Sequence, residues 1–132
     1  MPNILVTIND ETGTGKIIRS RHIEFRDSLV TVEQIIEQRV ITEVEQFNAK
    51  GKQNFYGLIQ PENAEVILNG FKMAAFKPID YKKQVEAAKT AFRQNGFFVL
   101  IDNLQVESLE QTFSLHKDSK ISFVKLTQLV GG

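Results

Sequence analysis

A capped amphipathic helix follows a strand hairpin, and this combination limits the chain to folds in which a helix packs on a sheet. Thr31 and Gln34 form a capping box, in which each side chain can satisfy a backbone N–H of the first helical turn. The apolar residues behind the box fall on one helical face. They are Val32, Ile35, Ile36, Val40, Ile41, Val44 and Phe47. We expect a helix of about 17 residues that stops near Gly51, with Glu43 and Glu45 facing solvent.

The segment before the helix is predicted to be a β-hairpin. Residues 4–8 alternate between apolar and polar side chains, which is typical of a strand with one buried face. A second strand is expected over 17–25, after the glycine-containing polar run of 10–16. This run also invites a phosphate-loop interpretation, but Ile17 stands where that pattern requires Ser or Thr. We therefore interpret the run as the hairpin turn.

Residues 50–96 differ from the rest of the chain in charge and regularity. Eight basic and four acidic residues give this segment a charge of +4, and the remainder carries −4 because the totals are 16 and 16. Within it we predict a short helix over 61–68, an extended stretch over 71–79 and a second amphipathic helix capped by Asp80 and ended at 95–96. The basic residues are either a docking face for an acidic partner or nucleic acid, or simply a solvated surface, which we prefer.

The pattern returns to strands after residue 96. Residues 97–101 form an almost continuous apolar run, as expected of a strand buried on both faces. Asp102-Asn103 predicts a tight turn, after which 104–106 can pair back. Residues 107–115 are expected to connect to a final strand over 120–129.

Two glycines, Gly131 and Gly132, follow this last strand. Glycine has no Cβ and accepts most backbone geometries, so a Gly-Gly tip can thread a narrow channel. The ordinary explanation is a frayed terminus. The residues upstream decide between these two interpretations.

Composition narrows the possible chemistry. The chain has no cysteine, which excludes disulfides, cysteine metal sites and cysteine nucleophiles, and which fits a reducing compartment. The balanced charge gives no general sign of nucleic acid or a membrane surface, and neither a signal peptide nor a membrane span is evident. His22 and His116 are isolated and lack metal-binding spacing. We expect a cytoplasmic protein that is not an enzyme and has no metal site.

The order of the predicted elements resembles the β-grasp fold of ubiquitin-like proteins, in which one helix packs diagonally across a mixed sheet. The resemblance is closest in the capped helix start at 31–36 and in the strand, turn and short strand at 100–107. The ending at 129–132, Leu-Val-Gly-Gly, is similar to the tail of a conjugatable modifier and to a bacterial ubiquitin-like group with this ending.

This resemblance implies an α+β fold with a mixed sheet and one main helix, in a single domain over 1–132. A helical insertion at 50–96 would separate the main helix from the third strand, and ubiquitin has no counterpart to it. Residues 127–132 would be a flexible tail.

The resemblance also implies a function as a protein modifier. A partner activating enzyme would bind ATP and Mg²⁺ and adenylate the carboxylate of Gly132, and the chain would need no cofactor of its own. The acyl group would pass to a cysteine of that enzyme and then to a lysine of a target protein. A conjugating enzyme and a protease are further expected partners.

Specific residues follow from the same resemblance. Gly131 would give clearance in the channel of the activating enzyme, and Leu129 and Val130 would anchor the tail. Gln128 stands where ubiquitin has an arginine that selects its activating enzyme, so this chain should need a different, cognate enzyme. Leu100 and Leu126, on the last strands, are the expected surface for partners.

Two other functions stay open at this point. A sulfur carrier would convert Gly132 into a thiocarboxylate for cofactor synthesis, although such carriers are usually smaller. A ubiquitin-like interaction domain would never have its tail activated and would use the basic segment 50–96 for docking.

Overall fold

The computed structural model describes residues 3–126, which form an α+β fold with a mixed sheet and two helices. In chain order the elements are β1 Ile4–Thr12, β2 Ile17–Phe25, β3 Leu29–Thr31, α1 Val32–Lys50, β4 Asn54–Phe55, β5 Ala64–Ile67, β6 Gly70–Met73, α2 Tyr81–Arg93, β7 Phe97–Ile101, β8 Leu104–Gln105, β9 Thr112–Ser114 and β10 Lys120–Lys125. The tail predicted at 127–132 lies outside the described residues.

The main sheet has five strands in the order β2-β1-β10-β7-β8. β10 lies in its centre, parallel to β1 and antiparallel to β7. Residues paired across strands point to the same face. One face therefore collects side chains that are fully buried, among them Ile8 beside Ile121 and Phe123 beside Val99. Both helices pack on this face, which is the core of the domain.

Helix α1 begins and ends as the sequence predicts. The Gln34 N–H donates to the Thr31 hydroxyl at 3.1 Å, and the Thr31 N–H donates to the Gln34 side-chain oxygen at 2.9 Å. The helix has 19 residues and stops at Gly51, whose φ of +66° is a conformation that glycine adopts easily. In the described part of the chain, neither helix is long and apolar enough to cross a membrane.

The segment after α1 contains more strand than predicted. The helix predicted over 61–68 is wrong: β5 runs from Ala64 to Ile67 and pairs with β6 through a two-residue turn. Asn69 in that turn has a positive φ of 59°, which asparagine tolerates better than most residues. Together with β4 these strands form a three-stranded sheet in the order β4-β6-β5. The predicted helix capped by Asp80 is confirmed as α2.

The remaining predictions for strands need two corrections. Residues 107–115 are not only a connection, since β9 pairs with β3. Strand β7 is buried on one face only, because Phe98 and Leu100 are half-buried. The last strand, predicted over 120–129, is described over Lys120–Lys125, and residues 127–129 of that prediction lie outside the described residues. The turn at Asp102-Asn103 is confirmed, with both φ angles positive.

The capping box of α1 predicts a measurable loss of stability when it is removed. We expect Thr31→Ala to lower the free energy of unfolding by about 1 kcal/mol, since it removes an acceptor from the first helical turn. Urea unfolding followed by circular dichroism measures the change. Thr90→Ala, at an exposed position of α2, is the matched control and should change stability by less than about 0.5 kcal/mol. Equal losses in the two variants would contradict the role of the cap.

Candidate functional site

A buried network of charged side chains lies at one end of the main sheet, between the sheet and α1. It contains Asp10 of β1, Arg21 of β2, Arg39 and Glu43 of α1, and Lys125 of β10. Lys125 stands beside Thr12 in the parallel register, so all three strands bring their charges to the same end. Isolated charges are costly to bury, and the arrangement of their partners therefore specifies how these elements pack.

Arg39 is the centre of the network and is fully buried. Its two terminal nitrogens both donate to the carboxylate of Asp10, and the second of these bonds is 2.9 Å long. Its Nε donates to Glu43 Oε2 at 3.2 Å. The guanidinium also lies 4.5 Å from the centre of the Phe123 ring, a cation–π geometry. One side chain thus joins β1, α1 and β10.

Arg21, Glu43 and Lys125 connect this network to the backbone of residues 56–58. Arg21 donates to Glu43 at 2.7 Å and to the Tyr56 carbonyl at 3.1 Å. Lys125 Nζ donates to the Gly57 carbonyl at 3.0 Å, and Glu43 Oε1 accepts from the Leu58 N–H at 2.9 Å. The loop that follows β4 is therefore fixed to the main sheet by polar bonds.

The network holds more positive than negative charge. Three cations, Arg21, Arg39 and Lys125, accompany two carboxylates, Asp10 and Glu43. Burial lowers the pKa of Lys125, and the charge of Arg39 lowers it further. The Nε of Arg21 is buried and has no hydrogen-bond partner in the described part of the chain. The cations of the network are thus less completely paired and hydrogen-bonded than its carboxylates.

Asp10 responds to opposing effects. Burial, the largest single influence, would raise the pKa of this carboxyl, but the charges of Arg39 and Arg21 and the hydrogen bonds from Arg39 outweigh it. The pKa of Asp10 is therefore lowered, and its carboxylate form is stabilised by the fold. The charged form of Arg39 is stabilised in the same way. Burial lowers its pKa, but Glu43 and Asp10 raise it by more.

The sequence interpretation missed this site. Glu43 was expected to face solvent and is buried, whereas Glu45 is exposed as predicted. Helical periodicity assigns charged residues to the solvent face by default. A signal was nevertheless present, since Arg39 and Glu43 lie four residues apart and share the face of Ile36, Val40 and Val44.

A cavity of about 330 Å³ adjoins the network where β1 and β10 end. The end of the main sheet contributes the polar lining residues Asp10, Thr12, Arg19 and Lys125. The opposite wall is the β5–β6 hairpin and the loop after β4, which contribute mainly apolar side chains. A separate cavity of about 490 Å³ lies at the start of α2 and shares no residue with the network.

The structure separates the residues predicted to contact partners. Leu100 is half-buried on the face of the sheet opposite to the helices, where it pairs with Ser122. Leu126 lies beyond the end of β10, is 49% exposed and lines the 330 Å³ cavity. Four residues of extended chain, about 13 Å, separate Leu126 from Ser122. Gln128, Leu129, Val130, Gly131 and Gly132 lie outside the described residues.

Neither histidine joins this site. His22 lies on the exposed face of β2, where its Nδ1 is 3.3 Å from the Thr7 hydroxyl. His116 begins the turn that precedes β10, in which the Ser119 N–H donates to its carbonyl at 2.9 Å. Over residues 3–126, no group of three or more His, Cys, Asp or Glu side chains is placed to hold a metal ion.

Removal of Arg39 should destabilise the fold strongly. We expect Arg39→Met to lower the free energy of unfolding by about 3–5 kcal/mol, because it leaves Asp10 and Glu43 buried with fewer partners. Denaturant unfolding measures the loss. Arg93→Met, at the exposed end of α2, removes the same charge and should change stability by less than about 0.5 kcal/mol. If the two variants unfold alike, the network does not stabilise the fold.

Stability should also fall in acid through Asp10. Because the fold lowers the pKa of this group below 3.8, its contribution is complete above that value and is lost as the pH falls through the folded-state pKa. The difference in unfolding free energy between the wild type and Asp10→Asn should therefore shrink below about pH 4. Unfolding curves at several pH values provide the test, with the exposed Asp27→Asn as a control. A constant difference would refute the predicted shift.

Comparisons with known proteins assign no family to the chain. No protein family, no curated protein and no solved structure matches it. A proposed function must therefore come from the residues and their arrangement.

Proposed function

We propose that the chain is a ubiquitin-like protein modifier whose Gly132 carboxylate is activated by a partner enzyme and conjugated to amines of target proteins. A processing protease would expose this carboxylate if further residues follow it. The carboxylate attacks the α-phosphate of ATP and releases pyrophosphate. A cysteine thiolate of the activating enzyme then displaces AMP, and a target lysine displaces that thiolate to form an amide.

The observation that carries this proposal is the arrangement of α1 and the main sheet. The hairpin β1–β2 comes first, α1 packs across the same sheet, and β7, β8 and β10 complete it. The resemblance to ubiquitin-like proteins implies this order of elements, in which one main helix packs on a mixed sheet. The β-grasp assignment is part of the proposal, as is the treatment of residues 50–96 as an insertion.

The position of β10 supports the same interpretation. This strand is central, and its residues through Lys125 pair with both β1 and β7. A partner enzyme would thus receive residues 127–132 from a rigidly held strand. Rigid attachment lowers the entropic cost of placing a reactive group in another protein's active site.

Partner recognition would use the sheet face opposite to the helices. Leu100, Phe98 and Val124 are half-buried on this face and pair across β7 and β10. Gln128 would direct the tail to a cognate activating enzyme, with Leu129 and Val130 as anchors and Gly131 giving clearance. The proposed place of action is the cytoplasm.

Conjugation can be tested with an N-terminally tagged chain in a soluble extract of its source cells, supplied with Mg-ATP. We expect ATP-dependent adducts about one chain mass, 15.0 kDa, above their targets. Deletion of Gly132 should abolish them, whereas Gly13→Ala, at an open turn position, should not. Since Lys125 is the last basic residue, trypsin should leave the seven residues from Leu126 to Gly132 on target lysines.

The outcome also separates the alternatives. A sulfur carrier would show no adducts but a sulfur-for-oxygen mass increase on the intact chain. A non-conjugated interaction domain would show neither product, and deletion of Gly132 would leave its partner binding unchanged. Either result would overturn the proposal.

A further inference from the structure

We propose that the 330 Å³ cavity at the end of the main sheet binds a small amphiphilic carboxylate, such as a medium-chain fatty acid. Its carboxylate would pair with Lys125 and Arg19, and its apolar body would lie against the β5–β6 hairpin. The test of this site is direct binding of a small molecule, so this proposal and the conjugation of Gly132 can fail separately.

The apolar part of the cavity comes from segments distant in sequence. Its wall includes Leu58, Ile59, Val66, Ile67, Phe71 and Leu126. Leu58 is buried, while Leu68 stands at the rim and is 76% exposed. Exposed aliphatic side chains around a concave apolar surface favour an apolar ligand. The volume of 330 Å³ lies at the small end of the ~300–1,000 Å³ typical of ligand pockets.

The polar part of the cavity favours an anionic head group. Lys125 Nζ donates to the Gly57 carbonyl, which uses only one of its three donors. Arg19 lies with its guanidinium 4.4 Å from the centre of the Tyr56 ring, and this contact leaves its edge N–H groups available. Asp10 also lines the cavity, but Arg39 and Arg21 already bind its two oxygens.

The charge balance behind the cavity points in the same direction. The adjoining network contains Arg21, Arg39 and Lys125 but only Asp10 and Glu43, and Arg19 at the cavity adds a fourth cation. A carboxylate at Lys125 would offset this excess in a site that is partly shielded from water, where Coulomb interactions are stronger. A metal cation would meet repulsion from the same groups. A single anionic group with an apolar body fits both halves of the cavity.

Binding should depend on the protonation of Lys125. The groups that face this ammonium are Asp10 from β1, Arg21 from β2, and Arg39 and Glu43 from α1. Burial and the charge of Arg39 lower the pKa of Lys125, while Asp10 and Glu43 partly oppose this shift. Only the protonated amine attracts a carboxylate, so affinity should fall as the pH rises through that lowered pKa.

The experiment is calorimetric titration of the full chain with decanoate and, separately, with 1-decanol. Decanol has the same apolar body without the charge. We expect saturable binding of decanoate at one site near neutral pH, and binding of decanol weaker by about tenfold or more, as loss of a charge-assisted hydrogen bond implies. Amide chemical-shift changes should concentrate around Lys125 and the β5–β6 hairpin.

Two variants locate the head group. Lys125→Met keeps most of the aliphatic stem and should weaken decanoate binding by about tenfold, and the remaining binding should lose the pH dependence assigned to Lys125. Lys120→Met, at the exposed start of β10, removes the same charge outside the cavity and should bind decanoate as the wild type does. The comparison of decanoate with decanol on the wild type stands even if Lys125→Met fails to fold.

Several results would overturn the proposal. The proposal fails if decanoate shows no saturable binding, or if decanoate and decanol bind with equal affinity. It also fails if the two lysine variants have equal effects, or if the amide chemical-shift changes lie elsewhere in the protein. Sedimentation analysis adds one more. If the chain self-associates and Leu68→Asp prevents this, a second copy occupies the cavity instead of a small carboxylate.

Discussion

The guanidinium of Arg39 is the interaction on which the arrangement of the domain depends. It is fully buried, and it binds Asp10 of β1 and Glu43 of α1 while lying against Phe123 of β10. Apolar contacts tolerate small displacements between elements, whereas hydrogen bonds to a buried charge require defined distances and angles. The sheet and α1 are therefore positioned by the hydrogen bonds and ion pairs of this network, with the apolar core filling the space around it.

The same network explains how residues 50–96 become part of the domain. The backbone of 56–58 supplies two carbonyls and one N–H to Arg21, Lys125 and Glu43. Beyond this loop, Asn48 exchanges two hydrogen bonds with the backbone of Ile79, and Phe47 packs edge-on against Phe55 at 5.2 Å. Excision of the segment would leave buried charges without partners, so it is structurally integral to the domain even though it interrupts the predicted order of elements.

Local signals were sufficient for part of this fold. The capping box of Thr31, the stop at Gly51 and the bounds of β2 depend on neighbouring residues, and these predictions are confirmed. The wrong predictions concern residues whose partners lie far away in the sequence. β5 is a strand because β6 pairs with it, and β9 exists because β3 lies beside it. The prediction that Glu43 faces solvent is wrong because two of its partners, Arg21 and the Leu58 N–H, come from distant segments. The cavity at Lys125 was missed for the same reason, since six separate segments build it.

The excess positive charge of the network relates stability to binding. Asp10 and Glu43 attract the Lys125 ammonium and the Gly57 carbonyl accepts a hydrogen bond from it, but burial and the charges of Arg39 and Arg21 oppose its charge. The position of Lys125 beside an open cavity, together with the unpartnered Nε of Arg21 among the described residues, is a local conflict between charge and burial. Such conflicts are expected where a site is built for a ligand. An anion at Lys125 would remove the conflict, so the same feature that weakens the empty fold would supply the affinity for the ligand.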